Sequence, residues 1–293
     1  MEGSEMEEPV GLIGCGAMGS CLADRLLRAG VPLIVYDADP AAAERLSEPG
    51  AVCAASPREV ADRAAVVLLS LPSAAASKAV ALSETGIIAS RNLRLVVETS
   101  TIGAPAVAEI AARLAEAEIM LLDAPVSGSV MAARAGRLTS MVAGSSAAYE
   151  RAAPLLRHFS LNVFYLGEQP GRGQMCKLIN NAVGMAGLMA ACEGIAMGAR
   201  AGFDPKLLTE ILNHGSGRNW ATDTFLPATI LAGVNKGSGP ATTLLKDTEL
   251  YLEAARELGA TAPLGEQMKA LWQTIVHADA PGRDASLVYQ YFK

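Results

Sequence analysis

The sequence predicts an α/β domain with a mostly parallel sheet, followed by an all-α domain, with one long helix connecting them. Three observations carry this reading. Short, nearly continuous apolar runs alternate with helical stretches through the first half. The strand signal stops after Leu166. A turn region containing Gly and Pro, 167–173, then opens a long helical stretch at 174–201. The expected domains are therefore 1–166 and 167–293.

The elements follow in order. Residues 10–13 are an apolar strand, and 18–29 a helix ended by Gly30. Further strands are expected at 33–36, 65–71 and 95–98, with shorter ones at 120–122, 141–143 and 163–166. Helices at 104–117 and 147–158 lie between them. Ser56-Pro57-Arg58-Glu59 reads as a helix start, with a capping Ser, Pro at the first helical position and Glu at the third. Asp204-Pro205 repeats the cap and Pro. Helices at 205–213, 221–233, 242–258 and 264–278 complete the second half.

Composition narrows the function classes. The chain has 293 residues, 51% of them hydrophobic, which is a globular composition. Its net charge is −6 and no run of Lys or Arg occurs, so no nucleic-acid partner is expected. Five cysteines (Cys15, Cys21, Cys53, Cys176, Cys192) stand at irregular spacings without a C-x-x-C, as expected for free thiols in a reducing compartment. His158, His214 and His277 are far apart, and no metal site is expected. Residues 1–9 are acidic and polar, unlike a signal peptide, and the expected location is cytoplasmic. The stretch 178–199 has the length of a membrane span. Asn180, Asn181 and Glu193 interrupt it, so a buried core helix, with no membrane partner, is the expectation.

The chemistry begins at Gly14-Cys15-Gly16-Ala17-Met18-Gly19, a G-x-G-x-x-G that follows a strand and opens a helix. Asp37 ends the next strand. This is the fingerprint of a Rossmann-like dinucleotide site. Gly14 makes the tight turn, Gly16 lets backbone approach the pyrophosphate, and Gly19 permits close helix–strand packing. A carboxylate at Asp37 accepts hydrogen bonds from the ribose hydroxyls and repels the extra phosphate of NADP, so NAD is favoured. The alternative for Asp37 is a turn-starting role in 37–40. Leu71, Pro72, Ser100 and Thr101 lie at the carboxyl ends of two strands, where ligands of open α/β sheets bind.

Lys177 and Asn181 are four apart at the start of the long helix, hence on one face. An ammonium beside an oxidised nicotinamide is pushed towards a lower pKa, which suits a general base. Asn181 would hold the substrate hydroxyl or position Lys177. Ser127-Gly128-Ser129 combines hydroxyls with backbone N–H groups and suits a substrate carboxylate.

Four segments together resemble the β-hydroxyacid dehydrogenases over about 10–288. Residues 11–19 are similar to the family's N-terminal signature, and Asp123-Ala124-Pro125-Val126-Ser127-Gly128-Ser129 to its substrate-binding segment, which usually ends Ser-Gly-Gly. Residues 171–181, with Lys177, Asn180 and Asn181, resemble its catalytic segment, and Lys246-Asp247 its Lys-Asp pair near the nicotinamide. The resemblance implies hydride transfer between a nicotinamide cofactor and a small 3-hydroxy acid or its semialdehyde. Lys177 and Asn181 would be catalytic, and Ser127, Gly128, Ser129 and Asn180 would bind substrate. The cofactor residues would be Gly14, Cys15, Gly16, Ala17, Met18, Gly19, Asp37, Leu71, Pro72, Thr101 and Lys246, with Thr101 on the nicotinamide side. It also implies a homodimer or homotetramer. Ser129 departs from the usual Gly, and a side chain there is expected to narrow the pocket or add a hydrogen bond. Arg218 is expected in a polar loop, either as a surface residue or where it would meet a second acidic group on the substrate. Two alternatives stay open: an imine reductase, whose members usually lack the family's Lys, and a non-catalytic dinucleotide-binding module.

Overall fold

The computed structural model describes residues 8–234, 239–278 and 284–292. The chain divides into two compact units, Met1–Lys177 and Leu178–Lys293. The division falls inside the long helix, after Lys177.

The first unit opens with β1 (Val10–Ile13), α1 (Ala17–Arg28), β2 (Leu33–Tyr36), α2 (Pro40–Glu44) and β3 (Val52–Cys53). It continues through α3 (Pro57–Arg63), β4 (Val66–Leu69), α4 (Ala74–Leu82), β5 (Leu95–Glu98), α5 (Ala104–Glu116) and β6 (Met120–Asp123). The six strands form one parallel sheet in the order β3-β2-β1-β4-β5-β6. Leu12, Val35, Leu68 and Val97 join an apolar cluster with Leu22 and Leu26 of α1. Their neighbours Ile13, Ile34, Val67 and Val96 join a second cluster with Val60 of α3 and Ile110 of α5. Both faces of the sheet are covered, which is why its strands read as unbroken apolar runs.

Next come β7 (Val126–Ser127), α6 (Val130–Arg134), β8 (Leu138–Val142), α7 (Ser146–Phe159) and β9 (Ser160–Tyr165). The strands expected at 141–143 and 163–166 do not extend the parallel sheet. They form a second sheet, β7-β8-β9, in which β7 runs antiparallel to β8. The two-residue β7 is too short for a periodicity signal, and it is the element that turns the chain out of the first sheet. The two sheets meet in a single antiparallel bridge, Asp123 to Ala143.

The expected caps form. Ser56 Oγ accepts the Glu59 N–H at 3.1 Å, and Glu59 reaches back to the Ala55 N–H at 2.8 Å. Asp204 accepts the Lys206 N–H at 2.9 Å.

The long helix α8 (Arg172–Arg200) crosses from the first unit into the second, which continues with α9 (Pro205–His214), α10 (Leu226–Ala228), α11 (Ala241–Glu257), α12 (Pro263–Ala278) and α13 (Val288–Phe292). Its core gathers Leu188, Cys192 and Ile195 of α8 around the fully buried Trp272, with Leu226, Ile275 and Val288. By length and composition α8 could cross a membrane, with mean hydropathy 1.5, but half of that window is buried inside the protein. The helix expected over 221–233 is broken: a π-helical turn, Ala221–Phe225, precedes the short α10. Pro227 lacks the N–H that would close the α-helical register there.

Candidate active site

The glycine loop is built as its spacing requires. Gly14 has φ +97°, and a Cβ there would strike the Ser70 carbonyl. A Cβ on Gly19 would strike the Gly14 carbonyl, so α1 packs directly on the turn. In front of Gly16 nothing lies within 4 Å of where a Cβ would be. Gly16 is also the N-cap of α1, with no side-chain cap and no acidic residue in the first turn at Ala17, Met18 and Gly19. Open space and uncapped N–H groups fit a pyrophosphate. Cys15 is buried, and burial pushes its thiol up to about 12, so it packs as a neutral side chain.

Asp37 stands at the mouth of this loop. Its carboxylate accepts the Cys15 N–H at 2.6 Å and the Asp39 N–H at 2.8 Å. The group therefore starts the 37–40 turn, and each carboxylate oxygen keeps a further lone pair. Leu71 and Thr101 are half-buried and Pro72 exposed beyond the ends of β4 and β5. Those ends are tied together: Leu71 N–H donates to Ser100 Oγ at 2.7 Å, and Thr99 Oγ1 donates to the Leu69 carbonyl at 2.6 Å.

Behind Thr101 lies a buried polar cluster to which the sequence reading gave no role. Glu98 and Asp123 are register partners at the ends of β5 and β6. Glu98 Oε1 accepts the Ser100 N–H at 2.9 Å, while its Oε2 makes no hydrogen bond of full geometry. Burial raises Glu98 to about 7, only partly offset by Ser100 and Ser77. Burial likewise raises Asp123 to about 6, opposed by Gln174 and the N–H groups of 171 and 173. Gln174, fully buried, is the hub. Its Oε1 accepts the N–H groups of Ile102 (2.8 Å) and Gly103 (3.0 Å). Its Nε2 donates to the Ser100 carbonyl (3.0 Å) and to Asp123 Oδ1 (2.8 Å). Asp123 Oδ2 in turn accepts the N–H groups of Gly171 and Gln174, at 2.9 and 3.1 Å. The start of α8 is thus capped by a side chain from β6. The legible signals were a Gln inside a glycine-rich helix start and acidic residues closing two apolar strands.

Lys177, three residues beyond Gln174, is buried at 9% exposure. Asn181 follows one turn later on the same helix and is half-buried. Its Nδ2 donates to Asp247 Oδ2 on α11 at 2.8 Å, and its Oδ1 accepts from the exposed Asn180 at 3.2 Å. Asp247 is itself buried, and its Oδ1 lies 2.9 Å from Lys246 Nζ, a charge contact without hydrogen-bond geometry. Ser127 is half-buried at the end of β7, and Gly128 follows with φ +139°. Ser129 is exposed, and its hydroxyl accepts the Ala132 N–H as the cap of α6. Arg218 pairs with Asp223 at 3.2 Å on the surface. All five cysteines are free thiols, and among the described residues no three His, Cys, Asp or Glu converge on a metal-sized space.

A parallel sheet of this strand order, with a glycine-rich first turn and a carboxylate closing the second strand, defines a dinucleotide-binding Rossmann domain. Comparison with known proteins makes this narrower. Residues 9–167 match the NAD binding domain of 6-phosphogluconate dehydrogenase, and 171–292 match the NAD-binding domain of NADP-dependent 3-hydroxyisobutyrate dehydrogenase. The mitochondrial 3-hydroxyisobutyrate dehydrogenase of Mus musculus is 36% identical over 292 residues, 97% of this chain and 87% of that one. The NAD-dependent L-serine dehydrogenase of Pseudomonas aeruginosa is 33% identical, covering 97% of each chain. Among solved structures, Mycobacterium tuberculosis 3-hydroxyisobutyrate dehydrogenase with L-serine superposes with a TM-score of 0.88 at 27% identity, over 98% of this chain and all of that one. The chain belongs to the β-hydroxyacid dehydrogenase family.

Proposed function

We propose that this protein transfers a hydride between NAD and a small 3-hydroxy acid or its semialdehyde, with Lys177 as the general acid/base. The bound nicotinamide would accept or donate the hydride, and the chain must handle the accompanying proton and the orientation of the substrate. One observation carries the reading: Lys177 is buried in the first turns of α8, three residues after Gln174, which is locked to the chain on both sides of Thr101. In oxidation its Nζ takes the hydroxyl proton, and in reduction it returns one to the nascent alkoxide. Asn181, its carboxamide held by Asp247, orients the hydroxyl. Ser127 and the backbone of Gly128 receive the carboxylate, with Ser129 contributing its N–H while its hydroxyl caps α6. Asp37 supports NAD over NADP, because a carboxylate at the end of β2 accepts from ribose hydroxyls and repels a 2′-phosphate. Exposed Val183 and Met197 on α8 support a homodimer or homotetramer.

The test follows reduced-nicotinamide absorbance with NAD or NADP and a panel of 3-hydroxyisobutyrate, glycerate, threonate, 4-hydroxybutyrate and L-serine. Oxidation of at least one acid with NAD, lost on Lys177→Ala with NADH binding retained, is the expected result. A wild type silent on the whole panel, or an equally active Lys177→Ala, defeats the reading. Tighter binding of NADPH than NADH in a fluorescence titration defeats the assignment to Asp37.

A further inference from the structure

We propose that Gln174, clamped by Asp123, is a positioning residue that sets the place of Lys177. The inference rests on the reading of Lys177 as the acid/base and adds the device that aims it. A lysine side chain is long and flexible, so a catalytic ammonium needs its helix fixed in rotation and in height. Most helices of the first unit are started by a small cap one residue outside their own first turn, such as Ser56, Ser73 or Ser145. The start of α8 is held from elsewhere. Its first N–H groups converge on Asp123 of β6, and Gln174 spends both its donors and both its acceptor sites on the chain at Ser100, Ile102, Gly103 and Asp123.

That geometry fixes α8 against two strand ends at once. Gln174 Oε1 and Nε2 bracket the segment from Ser100 to Gly103, which contains Thr101, the residue proposed on the nicotinamide side. The approach is also sterically closed: a Cβ on Gly173 would lie 2.5 Å from the Met141 carbonyl and 2.8 Å from Asp123 Oδ2, so only glycine lets the helix come this near. Lys177 follows Gln174 by three residues and shares its face of the helix. A buried amide with every hydrogen bond made is costly to replace and stiff. Such stiffness is excessive for holding one helix end, but it suits a group that must sit within a fraction of an ångström of a reacting atom.

The experiment compares Gln174→Leu, Gln174→Glu, Lys177→Ala and the Gln174→Leu/Lys177→Ala double variant in the full chain, with NAD and either racemic 3-hydroxyisobutyrate or L-serine. Gln174→Leu should lower kcat by about 30- to 100-fold while KM and the NADH Kd stay within about 3-fold. In the Lys177→Ala background the same change should cost nothing further, because a residue that acts through Lys177 has nothing left to aim. In Gln174→Glu two buried carboxyls compete for one proton. Its turnover relative to wild type should therefore rise by about 5-fold or more from about pH 8 to about pH 6, as the shared proton restores a donor towards Asp123. Wild-type kcat in Gln174→Leu, an equal loss with or without Lys177, or a flat pH ratio in Gln174→Glu each overturns the inference. Should Gln174→Leu fail to fold, the Gln174→Glu ratio decides alone. If Lys177→Ala is inactive and the Gln174 variants behave in these contrary ways, only the positioning role falls. If Lys177→Ala keeps wild-type turnover, or the wild type is silent on both acids, the reading beneath it falls as well.

Discussion

In the first unit the polar groups that matter are anchored on backbone. Asp37 holds the N–H groups of Cys15 and Asp39, Glu98 that of Ser100, and Asp123 those of Gly171 and Gln174. In the second unit the corresponding groups are tied side chain to side chain, Asn181 of α8 to Asp247 of α11 and Asp247 to its neighbour Lys246. The contrast follows from the two kinds of element. A parallel strand that ends inside a protein leaves donors and acceptors needing partners, and a side chain that meets them is fixed by the backbone itself. A helix satisfies its own interior backbone, so polar groups on its face must be ordered by one another, with more rotamers to lose. Loss of a backbone anchor such as Asp37 or Asp123 should therefore cost more than loss of a helix-face group.

The sharpest test of that contrast uses the same substitution on either side of the division between the units. Lys177→Ala should reduce kcat by about 1000-fold, the upper range of general acid–base catalysis, with the NADH Kd nearly unchanged. Steady-state kinetics with a fluorescence titration check it.

Next in size is a stability effect within the sheet. Glu98 titrates near 7 in the fold instead of 4.5, because burial penalises its charged form. The folded state therefore holds a proton that the unfolded chain has released. The penalty is absent below the unfolded value, grows as pH rises through the window between the two, and is complete above the folded value. Glu98→Gln should remove this loss. It should leave stability unchanged at acid pH and raise it by about 3 kcal/mol above neutrality, in urea melts across that range. An unchanged pH slope would mean that Glu98 is not the neutral buried acid described.

Smaller again, Asn181→Ala should lower kcat by about 30-fold, and Asp247→Ala by a similar factor with little further loss in the double variant. Losses as large as that of Lys177→Ala would break the contrast between the units. The least effect belongs to an ordinary cap: Ser56→Ala should cost about 1 kcal/mol of unfolding free energy and leave turnover untouched.

The sequence alone determined whatever local chemistry encodes. Unbroken apolar runs gave the strands of the covered sheet, Pro57 and Pro205 marked helix starts, and the glycine spacing from Gly14 to Gly19 located the dinucleotide loop, because a turn that tight admits no other residue. The spacing of Lys177 and Asn181 placed them on one helical face, because residues four apart lie one turn from each other. Tertiary structure decided the rest. The strands near 141–143 and 163–166 went to a second sheet, since sheet membership depends on partners far along the chain. The helix expected over 221–233 opens with a π-helical turn and ends at Ala228, and the hydroxyl of Ser129 went to a helix cap. Above all, Glu98 carries no motif signal, and Asp123 and Gln174 sit inside family-like segments without an assigned role. They acquire their roles only because parallel register brings two carboxylates to the ends of adjacent strands, where a helix start from about fifty residues further on must find its missing hydrogen-bond partners.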